Sequence, residues 1–204
     1  MRHAATDDHL PRLLGGMACL DFVNTVDPRH AANRTDFLTD YDVLARWAGH
    51  AGAVPPGTAR DLALAGASRP EQARDVLGAA RELREHLYQV IRPLLDGEAS
   101  PGPSVDVLSA AVSRAHAARR LVPVEARALT WDWHDRERLD LPLLAVALSA
   151  ADLVTSKAIN RVRECPGADG CGWLFLDTSK SGTRRWCSMQ VCGNRVKVQR
   201  HRAR

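Results

Sequence analysis

Four of the five cysteines fall close together near the end of the chain: Cys165, Cys171, Cys187 and Cys192, spaced C-x5-C-x15-C-x4-C. Two close pairs joined by a loop suit one tetrahedral ion. Each pair presents two thiolates, and the loop brings the pairs together. A structural zinc takes four such sulfurs at about 2.3 Å. Pro166, Gly167, Gly170 and Gly172 permit a tight first knuckle, and Gly193 frees the backbone after the last ligand. The competing chemistry is a pair of disulfides, which needs an oxidising compartment. The polar start of the chain, Met1 to Asp8, carries no export signal, so reduced thiols and zinc are expected. Four Cys ligands leave no open position for a catalytic water, so the ion is read as single and structural. No H-E-x-x-H or H-x-E…P-C-x-x-C pattern occurs, no nucleophile–base set is visible, and no enzyme is expected. Thiolates beside arginines also leave open redox sensing by zinc release.

The second chemistry-bearing group is cationic. Residues 161–204 hold ten Lys/Arg against three Asp/Glu, a balance of +7, while the chain as a whole carries +4. From Arg184 to the last residue, Arg204, seven bases follow with no acid. Charge concentrated beside a metal site points to a polyanion. Lys180, Arg184, Arg185, Asn194, Arg195, Lys197 and Arg200 are the candidate nucleic-acid contacts. Arginine can pair with guanine and asparagine with adenine, and both also bind phosphate. Trp186 and Phe175 are assigned to the small core of the zinc unit. Asp21, Asn24 and Asp27 stand in an apolar segment. They could line a small-ligand pocket, make a polar contact at a domain interface, or bond to nearby turns.

These groups need a frame. At 204 residues and 45% apolar, the chain has room for one medium domain and a small appended unit. The segment Cys19–Val26 is expected as a strand, with Cys19 a core thiol. Asp40 and its neighbours cap a helix with Tyr41, Leu44, Trp47 and Ala48 on one face. Shorter and longer helices follow, one from about residue 58 and one from Ser68 to Arg92. In the longer one, Val76, Ala80, Leu83, Leu87, Val90 and Ile91 form the buried stripe and Arg81, Glu82, Arg84 and Glu85 a solvated face. A further helix runs from Ser104. Residues 120–124 and 128–134 read as a hairpin with Leu129, Trp131 and Trp133 facing the core. Leu139 to about Ile159 is apolar nearly all round and is expected to be the central helix. In the zinc unit, residues 173–177 and 183–186 are expected to pair as a hairpin, followed by a helix from Val191. The fold class is α+β. A mainly helical domain with a small sheet, 1–160, precedes a treble-clef or ribbon-like zinc module of hairpin plus helix, 161–204. The metal replaces a core that so short a segment cannot build.

The longest apolar run, Leu141 to Ala151, is too short to span a bilayer, so a cytoplasmic protein without membrane contact is expected. Homodimerisation and a small-molecule effector stay open.

The stretch Trp186 to Lys197, with all four cysteines, Phe175, Asp177, Arg184 and Arg185, resembles the CGNR zinc-finger family. Gly16 to Asp27 resembles the opening of the ABATE domain that precedes this finger in the family. The resemblance implies a zinc-containing bacterial transcription regulator induced by stress, or an RNA-binding protein of the zinc-ribbon kind. Taken with the charge, it favours DNA as the partner. RNA, or an acidic protein partner for a zinc-stabilised interaction module, remains the alternative.

Overall fold

A computed structural model describes residues 10–202, apart from 126, 168, 169 and the side chain of Arg200. Helices dominate: α1 (Ala18–Val23), α2 (Tyr41–His50), α3 (Pro56–Ser68), α4 (Pro70–Leu94), α5 (Gly102–Ala117), α6 (Leu141–Val154) and α7 (Asn194–Arg202). Three two-stranded antiparallel sheets accompany them: β1 (Val26–Asp27) with β2 (Thr35–Asp36), β3 (Arg119–Glu125) with β4 (Ala128–Trp133), and β5 (Val162–Glu164) with β6 (Leu174–Leu176). This is the α+β class expected.

Helix α6 sits at the centre, with α1, α4 and α5 packed around it. Leu141, Leu144, Val146 and Leu153 are buried along it. Each such side chain contributes about 1.5–3 kcal/mol. The helix stops at Val154, short of the expected end, and Ser156 caps a 3₁₀ turn at Lys157–Arg161 that leads into β5. Helix α2 begins as expected, with the Asp40 carboxylate accepting from Val43 N at 2.9 Å. The helices expected to run from Ser68 and Ser104 start at Pro70 and Gly102 instead: Ser68 bonds back to Ala65, and Ser104 lies inside α5, bonded to Gln89.

Four further expectations fail. Cys19–Val23 is helical, not a strand. Every residue from Cys19 to Val23 is buried, so the segment shows neither helical nor strand periodicity. Arg84 is 4% exposed, not solvated. Its guanidinium grips Asp36 with two bonds of 2.7 Å. The β3–β4 hairpin exists, but of Leu129, Trp131 and Trp133 only Trp133 packs inward, against the cluster of Ala115, Ala118 and Leu144. Trp131 is 53% exposed, with the Arg119 guanidinium 4.7 Å above its ring. Finally, β6 pairs with β5 rather than with residues 183–186: Val162 faces Leu176 and Glu164 faces Leu174. The hairpin therefore encloses the first cysteine knuckle.

Candidate metal centre and basic face

Strands β5 and β6 deliver Cys165 and Cys171 at the two ends of the knuckle between them. A bond from Cys165 N to Trp173 O at 2.9 Å closes it. Cys187 precedes, and Cys192 lies within, a single π turn at Met189–Gly193 that runs into α7. Ser188 caps this turn, its hydroxyl accepting from Val191 N at 3.3 Å. All four sulfurs are buried and lie within 4.8 Å of one another. Cys171 Sγ and Cys187 Sγ are 3.8 Å apart, and Cys187 Sγ and Cys192 Sγ 3.6 Å. A tetrahedron with 2.3 Å metal–sulfur bonds has sulfur–sulfur edges of about 3.8 Å, whereas a disulfide needs about 2.05 Å. The spacing fits a metal and no disulfide; all five cysteines are free thiols. Gly167 is part of the cradle: a Cβ there would stand 2.9 Å from Cys192 Sγ and 2.8 Å from Cys171 Cβ.

Without a metal the buried thiols hydrogen-bond among themselves, Cys171 with Cys187 and Cys187 with Cys192. A divalent cation would displace these protons and take all four sulfurs as thiolates. A structural zinc held by these four sulfurs would tie the β5–β6 hairpin to the π turn. Cys19 stands apart, buried in the first domain, where desolvation pushes its thiol up to about 12.

The knuckle is also docked onto the helical domain. Arg29 N donates to Cys171 O at 2.9 Å and His30 N to Gly170 O at 3.0 Å. Trp173 Nε1 donates to Val26 O at 2.8 Å. Asn24 sits with no exposure against β6, its amide donating to Leu174 O at 2.8 Å and accepting from Leu174 N at 2.9 Å. Glu164, beside the first ligand, binds His30 and Arg92 at 2.6 Å and Tyr88 at 3.0 Å. Asn24 is thus an interface residue. Asp21 accepts from Gly15 N at 2.7 Å and holds the turn ahead of α1, with burial pushing its carboxyl up to about 6. Neither lines the two open clefts of the domain, of about 630 and 540 Å³. The contacts of Asp21 are those of a turn and those of Asn24 those of an interface, two of the readings the sequence left open for them.

The candidate nucleic-acid contacts separate. Arg184 is a strut: its Nε donates to Trp186 O at 2.9 Å, it also bonds Cys187 O, and it lies 4.4 Å above the Phe175 ring. Lys180, Arg185, Asn194, Arg195 and Lys197 are exposed. Asn194 has helical backbone angles, φ −66° and ψ −37°, and continues the π turn into α7 rather than capping it. Arg200 lies in α7 with its side chain outside the described residues. The acids nearby are engaged internally. Asp177 is buried and held below the usual carboxylate range by the Ser179 hydroxyl, and it also accepts from Arg184 N.

With this geometry in place, two family models match. One, described as "Putative stress-induced transcription regulator" and called ABATE, covers residues 16–157; the CGNR zinc finger covers 161–204. The chain belongs to the ABATE family and carries a CGNR finger. Comparison with curated proteins finds no match. The four sulfurs of the CGNR finger form the site of one structural zinc. Among the described residues, no helix is long and apolar enough to cross a membrane.

Two contributions lay outside the sequence expectations, the Glu164–His30–Tyr88–Arg92 cluster and the burial of Arg84, and for Asn24 the sequence offered an interface contact without naming β6 as the partner. Only the burial of Arg84 left a signal. Leu77, Ala80, Arg84, Leu87 and Ile91 follow one another at helical steps of three and four, so Arg84 sits on the apolar stripe.

Proposed function

We propose that the protein is a transcription regulator, not an enzyme, and that it holds DNA through the cationic face of its CGNR finger. The observation that carries this is the distribution of charge around the zinc site. Lys180, Arg185 and Lys197 are exposed, and the finger's described acids, Glu164 and Asp177, are bound to other residues of the chain. With ten Lys/Arg against three Asp/Glu over residues 161–204, the finger offers a phosphate backbone a net positive field. The regulatory role rests on the family description. The ABATE domain then acts as the part that assembles or senses, rigidly joined to the finger through Asn24, Trp173 and Arg29.

The test is binding of the zinc-loaded protein to duplex DNA and to structured RNA, titrated against salt. Each phosphate contact contributes about −0.9 to the slope of log K against log salt on B-DNA. Lys197→Ala should weaken binding and flatten that slope by about 1 while leaving zinc content unchanged. A preference for RNA would move the assignment to RNA binding. No binding to either at about 50 mM salt would overturn it.

A further inference from the structure

Gly193 does more than relax the backbone after the last ligand. A Cβ there would collide with Met189 Sδ and stand 3.1 Å from both Met189 Cε and Trp186 Cδ1. The bare Cα lets the thioether and the indole close over one spot. The π turn, a form often found at functional sites, places Met189 there. Met189 is nonetheless 46% exposed, and Trp186 is half-buried. Together with Thr183, Arg184 and Arg185 they line an open cleft of about 430 Å³. Its floor is a flat ring and a polarisable sulfur; its rim is arginine, with the Arg185 guanidinium 5.6 Å from the Trp186 ring centroid. A second cleft of about 300 Å³ shares Thr183, Arg184 and Arg185 and is also lined by Arg163, whose guanidinium donates to Asn160 O and Val162 O. Glu164, also in that second cleft, is bound to His30, Tyr88 and Arg92.

We infer that the Trp186–Met189 cleft takes one unpaired nucleobase, while the strand's phosphates lie along Arg185 toward Arg163. This rests on the nucleic-acid reading above and deepens it: the preferred ligand carries a base out of the stack, not a perfect duplex. A base fits because it is flat, has a π-face for the indole and thioether, and is tethered to an anion that the arginine rim neutralises. An acidic peptide would satisfy the rim and leave the apolar floor uncovered. Arg184 fixes the wall through its bonds to Trp186 O and Cys187 O, so the cleft depends on the metal-tied turn.

The test uses the zinc-loaded full chain and labelled duplexes of about 20 base pairs, made as DNA and as RNA. Each is made perfect, with one central unpaired thymine or uracil, and with an abasic site at that bulge. Stacking of one base on an aromatic side chain predicts about ten-fold tighter binding to the bulged duplex than to the other two. Met189→Ala, at an exposed position, should cut that preference several-fold with zinc content unchanged. Trp186→Ala should abolish it, and counts only if the variant retains one zinc. The DNA and RNA series report which sugar the cleft prefers. Equal binding of all three duplexes overturns the base cleft and leaves the nucleic-acid reading standing. Competition by a poly-glutamate decamer as effective as by the bulged duplex assigns the cleft to acidic peptides and overturns it too. Failure of every duplex to bind at about 50 mM salt overturns both.

Discussion

Asn24→Ala probes the seam between the ABATE domain and the finger with one side chain. The Asn24 amide replaces a neighbouring strand for β6: it donates to Leu174 O at 2.8 Å and accepts from Leu174 N at 2.9 Å. Both residues are without exposure. Truncation leaves a buried donor and a buried acceptor on Leu174 with no partner from residue 24, each at a cost of about 1–3 kcal/mol. Allowing for incomplete additivity, the loss is about 2–5 kcal/mol. In a protein of this length about 1 kcal/mol moves the melting temperature by about 2–4 °C. The variant should therefore melt about 5–15 °C below the parent, read by circular dichroism with zinc present. It should also surrender zinc faster to a chelator, because β6 leads directly out of the knuckle. Asn24→Asp sharpens the test: it keeps the acceptor for Leu174 N but sets a carboxylate against Leu174 O, so it should be no milder than alanine. A melting temperature within about 1 °C of the parent for Asn24→Ala would refute the reasoning, since two buried bonds cannot vanish at no cost.

Three other outcomes follow from the same contacts. Chelation should lower the melting transition of the ABATE domain by about 5 °C or more, because the knuckle it docks against loses its tie; an unchanged transition would mean that the seam survives without metal. Arg184→Ala should cost stability and zinc retention, whereas Arg185→Ala should leave both intact and weaken only nucleic-acid binding; equal behaviour of the two would undo their separation into strut and contact. Asp21, raised from 3.8 to about 6, binds its proton more tightly in the folded than in the unfolded chain. Its contribution therefore falls as pH rises from about 4 to about 6, by up to about 3 kcal/mol. Asp21→Asn should remove that part of the pH dependence measured by denaturant unfolding, and an unaltered profile would contradict it.

The zinc ligands were legible because metal chelation imposes spacing on the chain itself. Four cysteines in two close pairs, with glycines inside the first, match the demands of one tetrahedral ion and of little else. Central helix α6 was legible for a similar reason, since an all-apolar run needs burial on every side. What stayed hidden depended on contacts between distant segments. Asn24 and Leu174 are 150 positions apart, and nothing near Asn24 announces a strand edge needing a partner. Arg184 and Arg185 are identical in type and adjacent. Only their three-dimensional contacts separate them: Arg184 lies over Phe175 and bonds Trp186 O and Cys187 O, whereas Arg185 is exposed. Trp131 and Trp133 share a face of β4, yet the hairpin extends beyond the helix that covers Trp133. Alternation specifies a face, not how far along the strand that face is covered.

The glycines of the first knuckle join these levels. Gly170 and Gly172 adopt the left-handed region, with φ of +74° and +64°, which the turn between Cys165 and the strand requires. The same two positions are where the helical domain rests. A Cβ at Gly170 would lie 3.2 Å from His30 C, and one at Gly172 would lie 2.6 Å from His30 Nε2 and 3.1 Å from Arg29 Cβ. One backbone path thus serves metal geometry on its inner side and domain docking on its outer side. Zinc affinity and seam stability are then two measures of one coupled equilibrium. Coupling of this kind is reciprocal: whatever free energy zinc adds to the seam, an intact seam adds to zinc binding. A change in the ABATE domain that displaced Arg29 and His30 would therefore weaken the metal's hold and loosen the π turn on which Met189 and the cationic face are built. The CGNR finger thus packs as a further layer on the ABATE domain, and the hold on its metal depends on both.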